Sequence, residues 1–514
     1  MERAAGGQAS TPLRRHEPVM HANLSSYAPA EARIFAVAIS SATDNGVTAA
    51  KRGDHIEPLT FWLFVAGLAW LPLWYGSNDL VAWGINAVLF PGLAASYEIS
   101  ILVRGRGHPV AIRHIGMPAA LFAAVVGWIF LQTMTWEHGA YVHPIWGMAS
   151  EALAHSLPPS ISVNRDLTIL ALIRLITAAS VFWLALQLCR NAERARRLIE
   201  AIAVIGCLYA GYGMLALAST VGRLPWLETP ATAGLVTATF VNHNSYATYA
   251  GLGMIAICGL ILRLYRRQFI RSQGSRRLTI AILLETTGRS GAALLGGAFL
   301  LMVAILLTGS RGGVIAVSIG LIVLCTLTMM RPNWHGQKSL IVGMCGASLA
   351  LATLFAFGDI FLGALAERGF DDSNRIAIYL ITLRSILDAP LSGFGYGTFA
   401  DVFSMYRDRS LSVQGAWQQA HNTYLEIFQG LGLVFGSMLV GGVLLLVLRC
   451  FRGAVSRVEN AMVPCVAASM ACMVGAHALV DFSLQMQAVT LTFVAALGAG
   501  VAQSESSRSA LEDV

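Results

Sequence analysis

Apolar runs long enough to cross a bilayer alternate with polar stretches along most of this chain. They fall at about 60–76, 80–103, 116–135, 167–189, 198–221, 245–265, 290–309, 313–330 and 339–357. After one long polar interruption they resume at about 422–448, 460–480 and 486–503. A helix rises ~1.5 Å per residue and the hydrocarbon core is ~30 Å thick, so each run suffices for a span. The pattern predicts an all-α polytopic membrane protein of about 12 transmembrane helices, with a large periplasmic loop containing short helices. Residues 1–58 hold a single short apolar patch and are expected as a disordered cytoplasmic tail without a cleavable signal peptide. Helices 1–9 then occupy 59–357, the large loop 358–421, helices 10–12 422–503, and a second cytoplasmic tail 504–514. Pro91 and Gly92 are expected to break the second helix.

Composition narrows the class. Hydrophobic residues make up 56% of the chain and charged residues 12%, with a mean hydropathy of +0.63. That leaves too little charge to cover soluble domains, so a soluble multidomain protein is excluded. The net charge of +7 is not a nucleic-acid signal, because its position explains it. With the N-terminus inside, the inner loops hold about 19 Lys and Arg and the tails about 7, against about 8 outside. Basic segments resist translocation, so both termini are expected in the cytoplasm of a bacterial inner membrane protein. The outside arginines then need another reason. All eight cysteines lie in or at the ends of apolar runs without a CxxC pair and read as small core residues.

Several polar groups are candidates for chemistry. In FVNHNSYATY, starting at Phe240, Asn242 and Asn244 suit either a helix cap or a polar lining for a glycan or phosphate. In LTGSRGG, Ser310 suits a cap, and Arg311 beside the following helix start resembles an anion site. In the large loop, Ile376, Leu380, Leu383 and Leu387 mark an amphipathic helix with an N-cap at Asp372 or Ser373. Arg375 and Arg384 sit nine positions apart and face opposite ways, so Arg375 at the helix start is the anion candidate. The GxGxG of Gly393, Gly395 and Gly397 has no preceding strand and reads as a turn, not a dinucleotide fingerprint. His421, at the loop's return to the membrane, is either a hydrogen-bonding structural residue or a general base. His477 and Asp481, one helical turn apart, read as a structural pair. Arg174, inside the fourth span, either snorkels into a structural pair or lines a polar ligand cavity. The adjacent Asp371 and Asp372 read as capping residues, and no metal site or cofactor is expected.

These segments resemble the O-antigen ligase and O-antigen polymerase superfamily. The likeness lies in FVNHNSYATY, LTGSRGG, NRIAIY followed by DAPLSGFGYGTF, and AHNTYLEIFQGLGLVFG, in that order over about 240–436. It implies a metal-independent, inverting membrane glycosyltransferase that takes a glycan from an undecaprenyl-diphosphate-linked donor at the periplasmic face. His421 would be the base on the acceptor hydroxyl, and Arg311 and Arg375 would hold the departing diphosphate. The acceptor is left open among lipid A core, a growing O-antigen or exopolysaccharide, and protein, with a slight lean to a ligase. The polar interval 136–166, with His138, His143 and His155, matches no motif of that superfamily. The competing class is a transporter or flippase of lipid-linked or polar substrates. It would favour polar breaks at the bilayer midplane in repeated halves, whereas here the polar groups gather at helix ends.

Overall fold

A computed structural model describes residues 56–136, 139, 141–218, 234–271, 287–331, 373–408, 411, 417–457 and 461–505. Their helices, in chain order, are α1 (Ile56–Trp70), α2 (Leu80–Val103), α3 (Gly116–Thr133), α4 (Ile145–Ala152), α5 (Arg165–Leu188), α6 (Ala192–Ala218) and α7 (His243–Arg271). Then come α8 (Ala292–Leu307), α9 (Arg311–Met329), α10 (Ser373–Asp388), α11 (Phe399–Tyr406), α12 (Thr423–Ser456), α13 (Met462–His477) and α14 (Gln487–Ser504). Among the described residues nine helices are long and apolar enough to cross a membrane, and α1 and α13 are shorter apolar helices. Each predicted apolar run coincides with one of these eleven, except 339–357, which lies outside the described residues, as do Asp371 and Asp372.

The expected break at Pro91 does not occur. α2 runs through it unbroken, because the surrounding intrahelical bonds hold the segment in an environment with no water to compete for them. No disulfide joins the described cysteines, which are buried or half-buried in the bundle; Cys345 lies outside the described residues.

The centre of the bundle is α14, which packs on α5, α12 and α13, while α13 also packs on α7 and α9. Small residues make this approach close. A Cβ on Gly498 would stand 2.6 Å from the Phe182 carbonyl oxygen of α5, and one on Gly500 would collide with Ala467 of α13. With lipid as apolar as the core, such tight van der Waals contact is what holds membrane helices together.

The chain departs from regular helix at two places that shape one end of the bundle. α12 breaks at Gly432, whose φ of 75° takes it out of the helical region. The broken turn is filled by the GxGxG segment: Phe394 N–H bonds to the Gln429 carbonyl (3.0 Å), Gly395 N–H to Gly430 (3.1 Å) and Leu433 N–H to Pro390 (2.7 Å). All three glycines of that segment have positive φ, so it is the turn expected from the sequence. Gln132, fully buried at the end of α3, donates to the Ser392 and Gly430 carbonyls (both 2.8 Å) and accepts from Tyr396 N–H (3.2 Å). The second departure is the stretch 478–486 between α13 and α14, which holds only a 3-10 turn, Ser483–Gln485.

The interval before α5 supports the same cap. Val163 N–H bonds to the Phe394 carbonyl (2.9 Å), Asn164 bonds to Asp401 (2.8 Å) and caps α5, and His143 packs edge-on to Phe394 at 5.4 Å. Burial lowers the proton affinity of His143, so it packs there as a neutral ring. On α10, the apolar row Ile376, Leu380, Leu383 and Leu387 is exposed, while Ile378, Ile381 and Ile386 face the protein. The helix is thus apolar on two sides. At the opposite end of the bundle, Arg190 and Arg457 bond to carbonyls of 502–505 and Arg449 bonds to His114.

Valine at Gly432 would be forced into left-handed backbone and against the Leu391 carbonyl. We expect Gly432→Val to cost ~1–3 kcal/mol. Its thermal midpoint in detergent should fall well below that of Gly441→Val, since open space surrounds Gly441.

Candidate functional site

The residues singled out in the sequence converge on the stretch 478–486. Arg375, in the first turn of α10, donates to the Val480 carbonyl (3.4 Å). Four residues on, Tyr379 points its hydroxyl at the carbonyls of His421 (2.9 Å) and Leu479 (3.5 Å). From α12, Thr423 N–H bonds to the Ala478 carbonyl (2.9 Å) and its hydroxyl to that of Asp481 (3.2 Å). Arg174 of α5 donates to the Gln485 carbonyl, with its guanidinium 4.2 Å above the Trp83 ring. Non-helical backbone in an apolar bundle has polar groups to satisfy, and these side chains satisfy them.

His421 sits in left-handed backbone, φ 56°, a conformation that costs a non-glycine residue energy and persists only where its surroundings impose it. They do so through Glu426. This buried carboxylate accepts the Ala420 N–H (2.6 Å) on one side and the Gln485 side-chain amide (2.5 Å) on the other. Asn422 caps α12, accepting from Tyr424 and Leu425 N–H (3.0 and 3.1 Å). The imidazole itself lies between Phe482, edge-on at 4.9 Å, and Trp417 at 6.2 Å. One turn of chain is therefore clamped from both ends around a half-buried histidine.

The helix start that carries Arg311 and the Arg375 side chain reach the same stretch. Ser310 caps α9, accepting from Gly313 N–H (3.1 Å), so Arg311 stands at the helix start. A Cβ on Gly312 would lie 3.2 Å from Val480 Cγ2 and 3.1 Å from His477 Nε2. Val480 thus lies against the first turn of α9 with its side chain and accepts from Arg375 with its carbonyl. In the sequence these segments are distant; the fold brings them to one residue. Arg384 behaves as the periodicity required, pairing with Asp408 (3.1 Å) away from Arg375. Arg174 reaches the stretch at Gln485, not at Val480, in a structural pairing of the kind weighed for it.

The Asn242 side chain accepts from Asn244 N–H (2.7 Å) at the start of α7, which is the capping geometry. Beside it His243 Nδ1 donates to the Thr308 carbonyl (2.9 Å), tying FVNHNSY to LTGSRGG. His477 and Asp481 are not a direct pair: α13 ends at His477, so Asp481 is off the helix, and the two are linked through Thr248 and Ser483.

Residues 296–440 match the family model described as O-antigen ligase. Over that stretch the chain is similar to the O-antigen ligase family. The match takes in LTGSRGG, the α10 region, the GxGxG turn and the start of α12, and so bears out the resemblance to the O-antigen ligase and polymerase superfamily. No curated protein matches the chain. FVNHNSYATY and the stretch 478–486 lie outside the matched residues, yet both bond to them, His243 to the Thr308 carbonyl and the Val480 carbonyl to Arg375.

Sequence reading missed Glu426, Gln485 and Tyr379. Glu426 had a signal, an acidic residue within an apolar run, where ionisable groups are rare and paired. Gln485 and Tyr379 had none, since their importance is a matter of which carbonyl or carboxylate they face.

Replacing Glu426 with leucine leaves the Ala420 N–H and the Gln485 amide unsatisfied, at a cost of ~1–3 kcal/mol. Glutamine keeps one acceptor oxygen and lets the Gln485 amide rotate to accept, so it should cost less. Hydrogen exchange over 418–424 tests this: the expected order of protection is wild type, Glu426→Gln, Glu426→Leu.

Proposed function

We propose that the protein transfers a glycan from a polyprenyl-diphosphate-linked donor, undecaprenyl diphosphate in bacteria, to an acceptor hydroxyl at the periplasmic face of the inner membrane. The observation that carries the reading is the convergence of Arg375, the Arg311 helix start and His421 on residues 478–483. The similarity to the O-antigen ligase family supports a membrane glycan-handling function, and the distribution of basic residues supports a cap facing away from the cytoplasm.

The chemistry is governed by charge. When the glycosidic bond breaks, negative charge grows on the diphosphate, and fixed cationic donors stabilise that charge without reorganising. Arginine suits this because it stays charged at any working pH and presents several donors in a rigid fork. His421 takes the proton of the attacking hydroxyl, and its clamped backbone sets where that hydroxyl must stand. A single displacement inverts the anomeric carbon. Arg174, bonded to the Gln485 carbonyl and stacked on Trp83, reaches the same stretch from α5 and adds positive charge on the diphosphate side of the site. Asn242 caps the α7 start at Asn244, His243 ties that start to the turn before Arg311, and the two asparagines line the entrance for the glycan. No metal enters this scheme. The acceptor is lipid A core or a growing glycan, with the ligase assignment favoured.

His421→Ala should abolish transfer, by at least ~10²-fold, while the protein stays inserted and still binds the lipid-linked donor; normal transfer by this variant sinks the base assignment. Purified enzyme given lipid A core, a second lipid-linked glycan or a peptide should yield one discrete ligated product with lipid A core, whereas a ladder of lengths would mean polymerisation. Chelator should leave the rate unchanged. Loss that magnesium or manganese restores would instead point to a metal at Asp371 and Asp372.

A further inference from the structure

Four buried side chains with no role in the proposed transfer form a hydrogen-bonded row. Thr248 Oγ1, on α7, lies 2.6 Å from His477 Nδ1 and 2.8 Å from Ser483 Oγ, and Ser483 donates to Asp481 Oδ2. Every one of the four is at least nine-tenths buried. His477 Nδ1 also lies 3.3 Å from Ser483 Oγ, so the ring faces both hydroxyls and Ser483 bridges it directly to Asp481. With Ser483 giving its one proton to Asp481, its oxygen is left to accept from Thr248 or from the ring, and the Nδ1–H form completes the row from ring to carboxyl group. In that tautomer Nε2 is the nitrogen that gains and releases a proton.

That nitrogen points at the anion site. Nε2 is 3.1 Å from where a Cβ of Gly312 would be, in the first turn of α9 next to Arg311, and Arg375 is bound three residues along at Val480. Asp481 supplies a second observation: its Oδ1 is buried and has no hydrogen-bond partner among the described residues. A buried carboxyl group with spare acceptor capacity favours a proton on the ring at the other end of the row, which burial of that ring and the nearby Arg375 oppose. Besides tyrosines and cysteines, the ionisable groups brought to this end of α13 and the stretch after it include Arg311, Arg375, Glu426, His243, His421 and Arg174; α14 brings none.

We propose that His477 is a second proton-transfer residue, protonating the departing diphosphate while His421 deprotonates the acceptor. This rests on the transfer of a diphosphate-linked glycan proposed for the site. The acceptor oxygen bonds to the anomeric carbon and its proton goes to His421. The bond from that carbon to the diphosphate oxygen breaks with both electrons on oxygen, which takes the Nε2 proton of His477. His477 is left neutral, still donating from Nδ1 to Thr248. Between turnovers His421 gives a proton to water and His477 regains one. Thr248, Ser483 and Asp481 are positioning residues.

The test measures kcat and donor KM against pH for purified wild type, His477→Gln and Thr248→Val with a lipid-diphosphate-linked glycan and one accepting substrate. Wild type should lose rate on the alkaline side as His477 loses its proton and on the acid side as His421 gains one. His477→Gln should lower kcat by about 10²-fold and abolish the alkaline limb, with little change in donor KM. Thr248→Val keeps the ring and nearly the same shape but removes the closer of the two hydroxyls on Nδ1, leaving Ser483 at 3.3 Å, so its alkaline limb should move to lower pH. It also keeps the idea falsifiable if His477→Gln does not fold. A wild-type alkaline limb in either variant, or a loss expressed only as raised KM, overturns the role of His477. His421→Ala run alongside separates the two ideas: if it is inactive while His477→Gln keeps its alkaline limb, only His477 is removed. If wild type transfers to no acceptor, or His421→Ala transfers normally, both fall.

Discussion

Backbone that leaves the helix inside an apolar bundle must find its hydrogen bonds within the protein, because lipid offers none. The stretch 478–486 carries that requirement for this molecule. Its carbonyls are met by Arg375, Tyr379, Thr423 and Arg174, side chains from α10, α12 and α5. A loop free in water would bind solvent and recruit nothing. Here, satisfying a few carbonyls gathers cationic and aromatic groups from across the sequence at one end of the bundle, and the candidate site is the result.

The break at Gly432 solves the same problem in the other direction. Interrupting α12 frees carbonyls at Gln429 and Gly430, and the GxGxG segment occupies them with its own N–H groups. Gln132 fastens the joint from α3, and the interval before α5 fastens the cap segment by Val163 and Asn164. The glycines allow this because backbones approach where any Cβ would collide. The consequence reaches His421: the half-helix from Thr423 to Gly432 is held at both ends, so the turn before it has little freedom to relax.

Charge inside the bundle obeys one pattern. Glu426 is held by an N–H and an amide, and Arg174 by a carbonyl and a tryptophan face. Asp481 takes a hydroxyl proton. Buried ions of this kind add little net stability by themselves, since desolvation offsets the attraction. What they contribute is position: the left-handed turn at His421 is held through Glu426, which bonds the N–H of the residue before it.

The apolar pattern alone determined the class of fold and nearly every helix, because a bilayer demands runs of fixed length and these are written in consecutive residues. It also determined Ser310 as a cap, the opposed directions of Arg375 and Arg384, and the turn character of Gly393, Gly395 and Gly397, all set by neighbours within a few positions. Motif order pointed to the similarity to the O-antigen ligase family. Local pattern misjudged Pro91, which the helix absorbs, and the direct pairing of His477 with Asp481, which fails because α13 ends between them. Only the tertiary structure decided that the helix start carrying Arg311 and the Arg375 side chain share Val480, that Glu426 holds the turn at His421, and that Thr248 and Ser483 connect His477 to Asp481. Those contacts join residues up to hundreds of positions apart through single hydrogen bonds, and a hydrogen bond leaves no periodicity in a sequence.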